Sequence, residues 1–153
     1  MIKAHWVAVC MAVAGLISGL PAMAAEQAGM VKVSKGQVSI EREGKKLAAD
    51  VGTPVLIADR IRTAADGSVG VTLRDNTLLS AGPNSLIVID KFAFDNTTQD
   101  GNMSVSIRKG TLSVASGKIA KRTPESVDFH TPTSVLGVRG TEFIIEVIGG
   151  SDE

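Results

Sequence analysis

Tyrosine is missing from this chain, and aromatic residues make up only 3% of its 153 positions. The four phenylalanines, Phe92, Phe94, Phe129 and Phe143, are too few to build an exposed platform of flat rings for sugars. The single cysteine, Cys10, and the single tryptophan, Trp6, both fall near the amino terminus. Charge of one sign is also lacking: 16 Lys and Arg offset 16 Asp and Glu, and the basic residues are scattered rather than gathered in a block. Neither nucleic-acid binding nor a basic membrane-binding face is expected from that distribution.

The first residues read as an address rather than as fold. Lys3 and His5 form a short polar lead, Val7 to Leu20 an apolar run, and Ala22-Met23-Ala24 an A-x-A cleavage site. This is the pattern of a secretory signal peptide over residues 1–24, with Pro21 breaking the helix before the cut. The apolar run is shorter than the ~20 residues of a membrane span, and no later stretch approaches it, so no transmembrane segment is expected after cleavage. Cleavage would remove Cys10 and leave an exported chain that depends on core burial without a disulfide. The remaining residues, 25–148 plus a flexible tail over 149–153, are close to the usual size of one domain.

Period-2 alternation dominates what remains. Val31 and Val33, Val38 and Ile40, Val69, Val71 and Leu73, Met103, Val105 and Ile107, Leu112 and Val114, and Phe143, Ile145 and Val147 each mark one buried face of a strand. Turn chemistry separates the runs at Glu43-Gly44, Asp66-Gly67, Asp75-Asn76, Gly82-Pro83-Asn84, Lys109-Gly110 and Ser116-Gly117. Asp66-Gly67 gives the best hairpin signal, between "IRT" and "VGV". Leu86 to Ile89 is apolar on both faces and belongs mid-structure, whereas Asp95 to Asn102 reads as a long surface loop. Only Lys45 to Val51 suggests a helical turn. "VKVSKGQVSIER" and "MSVSIRKGTLSVAS" echo each other as two strand–glycine–strand units. The expectation is all-β: a single domain forming a twisted β-solenoid or β-sandwich of about ten short strands.

The order of these features resembles the FecR domain family from about Val31 to Val147. Gly52, Asp59, Ile61 and Thr63 fill one family element; Asp66, Gly67, Val69, Val71, Leu73, Asp75, Pro83, Ser85 and Leu86 fill the next. Thr131, Pro132, Gly137, Val138, Arg139, Gly140, Thr141 and Phe143 fill the closing "TP.a..gvRGT.F.v" element, the most specific of them. Ala58 stands where Gly commonly precedes the Asp, and Asn76 where Gly usually follows Asp75. Family members that regulate iron uptake carry an anti-sigma segment and a membrane helix ahead of this domain. The signal peptide in their place points to a stand-alone exported FecR domain, to which the regulator mechanism does not transfer.

Structural roles are expected for the motif residues. Gly137 and Gly140 read as freedom in a crowded bend, and Thr131-Pro132 as an extended lead into it. Arg139 would pin the bend by pairing with Asp59 or Asp75; otherwise it is a fork for a carboxylate or phosphate. Asp59 and Thr63 would share an Asx-type turn bond, and His130 is a strand-end polar residue. "DNTTQDGN" lacks the order of a calcium loop, and "SVASGKI" the spacing of a phosphate loop. Without a G-x-S-x-G elbow or a cysteine nucleophile, no catalytic, metal or cofactor site is expected. The resemblance implies a non-enzymatic sensing or protein-interaction module in the periplasm or outside the cell. Its partner would be an envelope or surface protein, with surface signalling as one such role, met at sheet edges or the Asp95 to Asn102 loop. The competing readings are a small polysaccharide- or peptidoglycan-binding module and a structural piece of a surface assembly.

Overall fold

The computed structural model describes residues 26–150. The expected signal peptide over 1–24, with Cys10 and Trp6, lies outside the described residues, as do the last three residues of the expected tail. Twelve strands join in one sheet: β1 Gln27–Lys35, β2 Val38–Arg42, β3 Lys45–Ala48, β4 Pro54–Leu56, β5 Arg60–Thr63, β6 Ser68–Leu73, β7 Leu78–Ala81, β8 Leu86–Phe94, β9 Gly101–Ala115, β10 Val127–His130, β11 Val135–Gly137 and β12 Glu142–Val147. The all-β expectation holds. Every pairing is antiparallel except that of β10 with β9, and the sheet curls into a twisted half-barrel rather than a stack of parallel rungs.

The curl comes from β9, the one strand shared by both limbs of the sheet. Residues 101–109 pair with β8 and β10 in the limb that continues through β5, β2 and β3. Residues 110–115 pair with β12 and β7 in the limb that continues through β6, β1 and β4. The change of limb falls at Gly110, whose φ of +88° is open to glycine and strained for other residues. A Cβ there would lie 2.2 Å from Ser85 Oγ and 2.6 Å from Ser85 Cα. Ser85 Oγ accepts from the Thr111 amide at 3.0 Å, which fixes the bend.

Lys109-Gly110, expected as a turn, is therefore a bend inside a 15-residue strand. The sequence echo is real in another sense: Lys35-Gly36 is the same device, with Gly36 at φ +63° where the chain leaves β1 for β2 in the other limb. Asp66-Gly67 is also no hairpin. β5 pairs with β2 and β8 while β6 pairs with β1 and β7, so this turn is a crossover between limbs. The tight two-residue hairpin is Glu43-Gly44, joining β2 to β3 with φ of +50° and +76°. That pairing makes Lys45–Ala48 a strand, against the expected helical turn.

The helix is elsewhere, at α1 Lys118–Arg122. Its start is held from a distance: the Lys118 amide donates to the Asp75 carbonyl at 2.8 Å, and the Ile119 amide to the Asp75 carboxylate at 3.3 Å. Such a cap depends on contacts across the fold and has no local signature. Ile119 is fully buried in a core that draws on both limbs, with Val31, Val55, Leu73, Ile89, Met103, Ile107, Leu112 and Phe129. Each such side chain contributes about 1.5–3 kcal/mol on burial. Leu86 to Ile89 is buried throughout, as expected of a mid-structure strand. Val33 departs from its expected face and is 47% exposed, because the β1–β6 register shifts at Lys32. An extra residue on one strand reverses the alternation beyond it. Of the expected tail, Gly149 and Gly150 are described, and Gly150 packs against the backbone of Arg108.

Candidate functional site

Most family-motif residues turn out to be fasteners. Asp59, fully buried, accepts from Arg42 Nε at 2.8 Å, Arg42 Nη2 at 2.6 Å and the Leu56 amide at 2.8 Å. This two-pronged bond keeps the Arg42 guanidinium protonated above its ordinary range, against the opposing effect of burial. Asp75, also fully buried, accepts from the Thr77 amide and hydroxyl at 3.1 and 2.8 Å. Thr63 does not bond Asp59: its hydroxyl donates to the Gly82 carbonyl at 2.7 Å and accepts from the Ser85 amide at 2.9 Å. It thus locks β5 to the turn around Pro83. Asp66 accepts from the Gln37 amide at 3.4 Å, and a Cβ on Gly67 would lie 2.4 Å from the Gln37 carbonyl oxygen.

The closing segment is less crowded than expected. Thr131 and Pro132 open the turn between β10 and β11, where Thr131 Oγ1 accepts from the Ser134 amide at 3.0 Å. Val138 is buried, but Arg139, Gly140 and Thr141 are exposed, and a Cβ on Gly137 or Gly140 meets nothing within 4 Å. Arg139 pairs with neither Asp59 nor Asp75, whose carboxylates are occupied by Arg42 and by Thr77. "VRGT" is a strap from one edge strand, β11, to another, β12. Its anchors are Val138, the Thr141 carbonyl, which accepts from Ser116 at 2.7 Å, and Phe143, which meets Phe129 edge-to-face at 5.2 Å.

A polar groove of about 510 Å³ lies on the outer face of β8, β9 and β10. Its floor is Ser104, Ser106 and Arg108 of β9, and its walls carry Asp90, Lys91, Asp128 and His130. Parallel pairing sets His130 beside Ser106 and Asp128 beside Ser104. The Ser106 hydroxyl donates to Asp90, while His130 Nε2 and Asp128 Oδ1 lie 3.0 Å apart. Asp90 and Arg108 are the two residues that the β8–β9 ladder leaves unpaired, each at a register shift. Bulges of this kind re-aim side chains. The Nε of Arg108 is buried without a partner. Composition and periodicity mark Ser104, Ser106 and Arg108 only as a wet face; the pairing with β10 gathers them with Asp128 and His130.

A family described as FecR protein matches residues 59–153. The chain belongs to the FecR family. No curated protein and no solved structure matches it. The FecR match begins at Asp59, so the Arg42–Asp59 pair ties strands β1 to β4 to the matched region. The groove lies wholly inside the match, as do the edge strands β11 and β12. No helix among the described residues is long and apolar enough to cross a membrane, and no three potential ligands among them converge to hold a metal ion. In the loop after β8, the Thr98 and Thr97 amides hold the Asp95 carboxyl below the usual carboxylate range, an Asx turn rather than an ion site.

Proposed function

We propose that this FecR domain is an exported, non-enzymatic interaction module of the bacterial cell envelope that receives an extended segment of a partner protein at the free edge of β12. The observation that carries this reading is the edge itself. β12 pairs with β9 alone, and its outward face shows Ile144, 71% exposed, between Glu142 and Glu146, with Ile148, 88% exposed, just beyond. An unpaired edge with alternating aliphatic and acidic side chains fits an added strand of alternating aliphatic and basic ones. The flanking glutamates also discourage pairing between two copies, since like charges would face each other.

The non-enzymatic part is supported by the groove chemistry. The Ser106 hydroxyl is given to Asp90, and His130 faces Asp128, so hydroxyl and imidazole are engaged separately rather than as nucleophile and base. The export part rests on the signal-peptide pattern of residues 1–24. The test is capture of envelope proteins by immobilised wild type and by Ile144→Asp, with hydrogen exchange on the recovered complex. The expected result is a defined partner lost in the variant at unchanged melting temperature, with new protection of β12 amides. Equal capture by both proteins, or protection confined to other strands, would refute the edge assignment.

A further inference from the structure

The groove holds an acid and a base that the fold keeps apart. Asp90 has a neutral partner only, the Ser106 hydroxyl. The Arg108 side chain has no hydrogen bond or ion pair among the described residues, and its buried Nε is unpaired. An unsatisfied buried donor is costly, more so on a charged group. The β8–β9 ladder leaves both residues unpaired, Asp90 as the extra residue of β8 and Arg108 as that of β9. Two bulges in one strand pair thus lie beside opposite charges that line the same groove.

The spacing sets the size of a ligand that would satisfy both charges. Hydrogen bonding holds the Asp90 carboxylate at the level of Ser106, and Arg108 is two residues further along the same face. That offset is about 7 Å along a strand. Asp128 is already engaged by His130, and among the described residues no ion pair joins Asp90 to Lys91, the other cation that lines the groove. The groove volume of about 510 Å³ is in the range of small-molecule sites.

We infer that the groove binds a short zwitterionic peptide, of dipeptide length, with its ammonium group on Asp90 and its carboxylate on the Arg108 guanidinium. Two residues of extended chain place the terminal charges about 7 Å apart. Arg108 turns toward the ligand carboxylate and exchanges an unpaired N–H for a charge-assisted fork. Lys91 and Arg108 would attract an anion, but only a ligand that also carries a cation satisfies Asp90. This site is on the other limb from β12, so it stands or falls separately from the strand-edge reading.

The test is calorimetric titration with alanylalanine in its free, N-acetylated and C-amidated forms, with galacturonate as a probe that carries the anion alone. The free dipeptide should bind, and either cap should weaken it about tenfold. Arg108→Gln should bind the free and amidated forms equally, and Asp90→Asn the free and acetylated forms equally. Ile144→Asp should bind like wild type. The comparison of ligand forms needs no variant, so a misfolded mutant leaves the test intact. The inference is overturned by capped forms that bind as tightly as the free dipeptide, by galacturonate matching it, by binding unchanged in Arg108→Gln, or by no binding at millimolar dipeptide.

Discussion

Ala58 occupies a backbone position that the FecR pattern gives to glycine, and its φ is +71°. The turn is over-determined around it. The Ala58 amide donates to the Ile89 carbonyl at 2.7 Å, the Asp59 amide to the Leu56 carbonyl at 3.3 Å, and the Asp59 carboxylate is clamped by Arg42. The methyl group is exposed, so replacing it removes no core contact. An L residue held in the left-handed region costs about 1–2 kcal/mol relative to glycine. Glycine gives back about 0.4–1 kcal/mol through its freer unfolded chain. Ala58→Gly should therefore stabilise the protein by about 0.5–1 kcal/mol, a rise in melting temperature of roughly 2–4 °C for a chain of this size. Thermal unfolding followed by circular dichroism measures it. Asn76→Gly is the internal control: its φ is +68°, but asparagine tolerates this region, so the gain should be smaller. An unchanged or lower melting temperature for Ala58→Gly, with Asn76→Gly equal to it, would refute the claim that strain is stored at this turn.

Two further outcomes follow from the fasteners. Gly110→Ala combines positive φ with a clash against Ser85 and should cost about 3–4 kcal/mol in urea unfolding. Gly140→Ala carries the strain of φ +154° but meets no neighbour, so it should cost about 1–2 kcal/mol, less than Gly110→Ala; a loss as large as that of Gly110→Ala would disprove the placement of the crowded bend. Arg42→Met leaves the buried Asp59 carboxylate without its cation and should cost about 2–3 kcal/mol, below the usual figure for a broken buried pair because the Arg42 side chain is 28% exposed. Equal stability of Arg42→Met and wild type by urea unfolding would mean the pair contributes nothing.

Much of the strand content was legible because burial on one face leaves a period of two in the sequence. The clearest runs, Val69 to Leu73 and Met103 to Ile107, keep their expected faces buried. Where a bulge intervenes, as at Lys32, that period fails to predict Val33. The turn dipeptides were legible as places where the chain bends, but what each bend joins was not. Glu43-Gly44, Asp66-Gly67 and Lys109-Gly110 look alike as dipeptides, yet they are a hairpin, a crossover and a bend inside a strand. The residue pair fixes only what φ is available; which strand the chain meets next depends on distant partners. The same limit hid the helix at Lys118, whose start is capped by Asp75. It also misassigned Arg139, because Arg42 had taken Asp59.

The sequence alone determined that this is an all-β chain with a FecR closing motif and no cysteine after residue 10, since face alternation, turn chemistry and composition are local properties. Tertiary structure alone decided that β9 carries both limbs of the sheet, that "VRGT" is an exposed strap, and that Asp90 and Arg108 share one groove. Those outcomes depend on strand register and on the pairing of residues far apart in the chain, and a shift of one position in either would send the same side chains to the other face.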